Sequence, residues 1–192
     1  ATAKSGLRLQ ARVQGLKARL LFYKLDASDS LYATVMRDAL EKAYRLNDIY
    51  MVAEFSRWYG EMLNTIDDPA GAALYCMNSV KLQEEAGLQY FPSVKTFYLT
   101  TAEMLARTRN YRESIDYYNL ALKLKDSTTD KNFIANSMNT LGKSYHYFKK
   151  NDSAVLAYQQ CMKFVKESGA QEDWYYSASD NRFEPYLELK QY

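Results

Sequence analysis

The stretch Met138-Asn139-Thr140-Leu141-Gly142-Lys143-Ser144-Tyr145, the break Lys150-Asn151-Asp152, and then Ala154-Val155-Leu156-Ala157-Tyr158-Gln159-Gln160-Cys161 decides the fold. Met138, Leu141, Gly142 and Tyr145 recur at i, i+3, i+4 and i+7, the spacing of one face of an α-helix. After the break, Ala154, Tyr158, Cys161 and Phe164 repeat the three-or-four spacing, so a second helix follows the first. Small residues in both helices let the two axes approach, and the aromatic rings fill the space beside them.

Working outward, the second helix of this pair has three relatives. The segments 38–47, 78–87 and 120–126 read like 160–169, and their small residues Ala39, Ser79, Ala121 and Cys161 follow one another at intervals of 40, 42 and 40. Seven positions earlier stand Ala72, Ser114 and Ala154, with Tyr32 at the equivalent place of the first unit. A fixed period of this length marks a repeat architecture in which each unit is one pair of helices.

Boundary chemistry agrees with the period. Asp68-Pro69 places a capping residue before a first-turn proline, and Phe91-Pro92-Ser93 starts another helix in the same way. Asn110 with Glu113 has the spacing of a capping box. Gly87, Gly169 and Asn47 suit left-handed helix ends. These signals predict helices over 6–25, 30–46, 49–65, 69–86, 92–108, 111–125, 130–149 and 152–168, with Asp126-Ser127-Thr128-Thr129-Asp130 as one connection.

The units resemble tetratricopeptide repeats. The family's first-helix pattern is matched by Met138, Leu141-Gly142 and Tyr145, and its second-helix pattern by Ala154, Tyr158 and Cys161. The third unit matches at Tyr98, Ala102, Ser114, Tyr118 and Ala121 and departs at Thr101 and Leu105. The second matches at Gly60, Ala72 and Ser79, with Cys76 in place of an aromatic. In the first, Tyr23 and Ala39 fit, and Leu20 stands in place of the small first-helix residue. The resemblance spans 13–169 and implies an all-α, right-handed α-solenoid of about four helix pairs in one domain, with units at 6–46, 49–86, 92–125 and 130–168. The usual unit is about 34 residues. The longer period resembles repeat regions of sensor and regulator proteins of bacterial, Bacteroidetes-type two-component systems; the sequence leaves the compartment open, with the periplasmic side of a membrane-anchored sensor slightly favoured over the cytoplasm.

After Gly169 the pattern stops. Trp174-Tyr175-Tyr176 could open another first helix, but Asp180-Asn181 and Pro185 interrupt it. Residues 170–192 are therefore expected to be a cap with a short helix at 183–191, or the start of a further repeat in a longer parent. A start at Ala1 without Met fits a mature or trimmed product.

Composition narrows the function. The 192 residues are 47% hydrophobic and 15% aromatic, with only 7 Gly and 3 Pro, which excludes disorder, collagen-like sequence and many-turned sandwiches. The net charge of +2 offers no overall attraction to nucleic acid; the basic clusters Arg107, Arg109, Arg112 and Lys149-Lys150 have acidic neighbours and read as solvated helix ends. No run is long and apolar enough to span a membrane. One histidine and two cysteines 85 residues apart form no metal or disulfide pattern, so neither a metal nor a cofactor is expected. His146 lacks the nucleophile or orienting carboxylate of a catalytic base. Cys76 and Cys161 sit at packing positions, as do Tyr23, Tyr118, Tyr145 and Tyr158.

These exclusions leave a non-catalytic module, and the resemblance implies that it binds a protein or peptide. The resemblance implies that first helices line the concave face and present Arg57, Trp58 and Glu61; Thr100, Glu103 and Arg107; and Asn136, Asn139, Lys143 and His146. Gln14, Lys17, Glu54 and Thr96 occupy related positions, and Trp58 fits either the lining or the core, since it adjoins Tyr59. Asn136, Asn139 and Lys143 supply part of a carboxylate clamp, but Glu61 and Glu103 would repel a carboxylate, so no clamp is expected.

Overall fold

A computed structural model describes residues 2–24, 31–91, 93–125 and 129–190. Among them the chain is helical without strands: α1 (Thr2–Lys24), α2 (Leu31–Leu46), α3 (Ile49–Thr65), α4 (Pro69–Ala86), a single 3-10 turn at Leu88–Tyr90, α5 (Val94–Arg107), α6 (Tyr111–Lys123), α7 (Lys131–Tyr147), α8 (Asn151–Ser168), α9 (Asp173–Asn181) and α10 (Phe183–Lys190). The predicted helices appear within a few residues of their expected ends. Pro92 and most of the 126–130 connection lie outside the described residues. The chain divides into two compact units, Ala1–Met104 and Leu105–Tyr192.

In the first unit α1 packs on α2, α2 on α3 and α3 on α4. Asp48 and Asp68 cap α3 and α4, their carboxylates accepting from the Met51 and Gly71 amides at 3.2 and 2.9 Å. Each removes one unsatisfied donor from a helix start, worth about 1 kcal/mol. At Gly60 the two helices approach closely: a Cβ there would lie 2.7 Å from Cys76 Sγ and 3.0 Å from the Ala72 carbonyl oxygen. Thr101, where the repeat pattern has Leu, is fully buried and donates its hydroxyl to the Phe97 carbonyl at 2.8 Å. An internal bond of this kind removes the desolvation cost of the hydroxyl.

The first helix departs from the expected register. Leu20 and Tyr23 are not packing residues, being 61% and 70% exposed. The inward face consists of Ala11 and Ala18, both fully buried, and Gly15, whose Cβ would meet the Phe55 ring at 2.6 Å. Gly15 is the small contact residue for which the sequence offered only Leu20.

In the second unit α7 packs on both α6 and α8, and α9 and α10 pack on α8. Asp130 caps α7, accepting from the Phe133 amide at 2.9 Å. The expected capping box at α6 does not form. Asn110 makes no side-chain bond to the helix start, and its amide donates to Thr108 Oγ1 at 3.0 Å. The core joins Ala135, Ala154, Tyr158, Cys161, Val165 and Ala178, with Trp174 and Tyr175 packed against it.

The period is visible in the backbone as well. Asp67, Arg109 and Lys149, spaced 42 and 40 apart, all have positive φ (62°, 63° and 61°), and Asn47 has φ of 51°. The amide after each bonds five residues back: Asp48 to Ala43, Asp68 to Leu63, Asn110 to Leu105 and Lys150 to Tyr145. Each is a left-handed helix stop built without glycine. Gly87 (φ 99°) and Gly169 (φ 69°) close α4 and α8. A second recurring contact spans 26 residues. Ser79 Oγ donates to the Ala53 carbonyl at 2.6 Å, and Cys161 Sγ to the Ala135 carbonyl at 3.3 Å.

Residues 173–181, which the sequence leaves as part of a cap or the start of a further repeat, are helical. Arg182 keeps helical dihedrals, and its amide bonds to Ala178 while the Tyr186 amide bonds to Arg182. Pro185 has no amide proton to give to the Asn181 carbonyl, and the chain divides there into α9 and α10. Ala178 and Pro185 are buried.

Candidate functional site

On the first unit, α3 supplies Arg57 and Glu61 one turn apart. Their side chains form an ion pair, and the Arg57 guanidinium lies 4.6 Å from the centre of the Phe97 ring. Burial raises the Glu61 carboxyl above its ordinary value, against the lowering pull of Arg57 and Arg19. The pair is therefore a half-buried, desolvated element with strong directionality, unlike a solvated surface bridge. Trp58 lies in the core alternative: it is buried against Phe55, ring centres 5.5 Å apart, and Arg19 of α1 stacks over it at 4.4 Å. Thr100 is also buried. Neither residue stands on the surface. Glu103 is half-buried on α5.

On the second unit, α5 ends with the exposed Arg107, and α7 carries Asn136, Asn139, Lys143 and His146. Asn139 is 1% exposed, donates to Ser177 Oγ at 2.9 Å and accepts from Asn181 at 3.2 Å. Here α9 already occupies the position expected of a partner. Asn136 and Lys143 are half-buried.

His146 joins a network the sequence reading missed. Asn151 donates its amide to Glu188 at 2.7 Å, so its carbonyl oxygen must be the atom 3.1 Å from His146 Nδ1. Nδ1 then carries the proton, and Nε2 faces Glu184 at 3.5 Å, an ion pair when the ring is protonated. Lys149 lies 3.7 Å from the other Glu188 oxygen. One donor atom from each of His146, Glu184 and Glu188 falls within 4.8 Å of the others, close enough to share an ion. Glu188 is already engaged by Asn151 and Lys149, so the geometry is that of a polar clasp between α7 and α10. The sequence held one clue: Asn139–Ser177, Asn139–Asn181 and His146–Glu184 are separated by 38, 42 and 38 residues, about one repeat.

Neither thiol is poised for chemistry. Burial pushes Cys76 up to about 12 and Cys161 up to about 11, so both are protonated at neutral pH. Among the described residues no helix is long and apolar enough to cross a membrane.

Residues 96–167 match the family model described as "Tetratricopeptide repeat". No curated protein matches the chain. Solved structures do. Repeats of a putative kinesin light chain from Podosopora anserina superpose with a TM-score of 0.76 at 11% identity, covering 94% of this chain and 86% of that one. BtubC (BKLC) from P. vanneervenii gives 0.68 at 17% identity, covering 99% and 85%. The apo form of RapI gives 0.74 at 15% identity over 96% of this chain, which spans 50% of that protein. At such identities the likeness is one of fold. Residues 96–167 are thus similar in sequence to tetratricopeptide repeats, and the chain has the all-helical solenoid fold of the solved structures it resembles.

Proposed function

We propose that this chain is a non-catalytic module that binds a protein or peptide through the first-helix faces of its repeats. The observation that carries the reading is the Arg57–Glu61 pair on α3. It is half-buried, stacked on Phe97 and only partly accessible, the state in which a charged pair adds specificity when a partner completes its desolvation. Lys143 on α7 supplies a second cation, at the place in its repeat that Glu61 holds on α3. The finer reading is the sensor or scaffold region of a larger bacterial signalling protein, supported by the long repeat period. A free-standing assembly scaffold is the second reading, favoured by the packing of α9 and α10 onto the last full helix pair.

The test is capture of interacting proteins by the 192-residue chain, compared with Arg57→Lys and Lys143→Ala. Arg57→Lys keeps the charge but removes the planar contact with Phe97 and the forked donor. Loss of the captured partner with an unchanged melting curve supports the reading. Undiminished capture by both variants refutes the assignment of these faces.

A further inference from the structure

The first helix is built inside out. Its inward face is made of Ala11, Gly15 and Ala18, while Leu9, Val13, Leu16, Leu20 and Tyr23 point outward, between 54% and 70% exposed. The outward residues are separated by 4, 3, 4 and 3 positions. That is the strict a/d spacing of a coiled-coil seam, about 21 Å long at 1.5 Å per residue. It occupies a sector only about 80° wide, narrower than the broad apolar face of a helix lying in a lipid interface.

The flanks of the seam carry one sign of charge. With Val13 and Leu20 at a, and Leu9, Leu16 and Tyr23 at d, the e positions are Gln10, Lys17 and Lys24, and g positions include Arg12 and Arg19. No acidic residue occurs anywhere in α1. Arg8 is paired with Asp48 at 2.7 Å, and Arg19 is turned toward Trp58 and Tyr23. Arg12, Lys17 and Lys24 have no ion-pair partner among the described residues. A second copy of the chain would set cations against cations in parallel or antiparallel pairing, because e and g are both basic. An acidic helix would find every flank complementary.

We propose that the outer face of α1 is a docking seam for an acidic amphipathic helix of a partner protein, with apolar residues at a and d and carboxylates at e and g. This surface lies on α1 and not on the α3 and α7 faces that carry Arg57 and Lys143; it shares Lys17 with the first-helix positions named above and goes beyond that reading.

The experiment uses the intact chain and a fluorescein-labelled three-heptad peptide with Leu at a and d and Glu at e and g, followed by anisotropy near physiological salt. Saturable micromolar binding is expected, weakened about tenfold or more by Leu16→Gln with Leu20→Gln and likewise by Lys17→Glu with Lys24→Glu. These side chains are exposed, so circular dichroism melts should stay unchanged. A peptide of the same composition with a scrambled seam should not bind. Arg57→Lys and Lys143→Ala should leave binding intact, which separates this seam from the other faces. The proposal is overturned by no saturation at roughly 100 µM, by equal binding of the scrambled peptide, or by indifference to the Leu substitutions. It is also overturned if the seam instead mediates self-association in sedimentation velocity, or capture by phosphatidylserine vesicles without capture of the peptide.

Discussion

Gly142→Ala puts the closest contact between paired helices under direct test. A Cβ added to Gly142 would lie 2.5, 2.8 and 2.8 Å from three atoms of the Tyr158 ring, where apolar atoms rest at about 3.5–4.0 Å. The ring cannot easily move aside, since Tyr158 is 1% exposed and enclosed by Ala135, Ala154 and Cys161. Overpacking of this kind costs about 1–3 kcal/mol, and an approach more than 1 Å too close belongs at the upper end. Against it stands the gain of about 1 kcal/mol from replacing glycine inside a helix. The net expectation is destabilisation by about 2 kcal/mol, read as a lower urea midpoint by far-ultraviolet circular dichroism. The melting temperature should fall by about 4–8 °C. In a Tyr158→Leu background the obstacle is gone, and the same Gly142→Ala change should become stabilising by about 0.5–1 kcal/mol. A neutral or stabilising effect in the native background, or an equal cost in both, would refute the close approach of α7 and α8.

Ala154→Leu should overpack the same junction, since Ala154 is fully buried, and lower the unfolding midpoint by an equivalent of about 1–3 kcal/mol. Glu61→Gln tests the buried pair on α3. Because burial holds the folded carboxyl above its ordinary 4.5, the folded state keeps its proton longer than the unfolded state, and stability falls as pH rises through that window. The Gln variant lacks this loss, so its urea midpoint should gain on the native protein as pH rises above the ordinary carboxylate range; parallel curves would sink the assignment. Truncation after Ala170 removes the partners of Asn139 and the buried Ala178. It should cost at least about 2 kcal/mol, one for each lost hydrogen bond, and an unchanged midpoint would show that α9 contributes nothing.

Much of the helical order was legible because its determinants are local. Asp48, Asp68 and Asp130 cap the helices they precede, and Asn47, Gly87 and Gly169 take positive φ where helices end. Asn110 shows the limit of such reasoning, since its amide found Thr108 before the helix start. The small residues at 40-residue spacing located the close crossings, because volume alone decides whether two helices can touch there.

The candidate site was less legible. Trp58, Thr100 and Asn139 sit at first-helix positions that the repeat pattern points outward, yet neighbouring elements cover them: Arg19 lies over Trp58, and Ser177 and Asn181 over Asn139. Period and spacing do not report what packs on a face from elsewhere in the chain.

By itself the sequence determined the repeat period, the helix pairs and their punctuation, since hydrophobic spacing, caps and breakers act within a turn or two of themselves. Tertiary structure alone decided which face of α1 turned inward. Periodicity is equal for the small stripe Ala11-Gly15-Ala18 and the large stripe ending at Leu20 and Tyr23, and only the proximity of the Phe55 ring selects the first. It also decided that the residues after Gly169 form α9 and α10 despite Pro185, because contacts one repeat away with Asn139 and His146 outweigh one missing backbone bond.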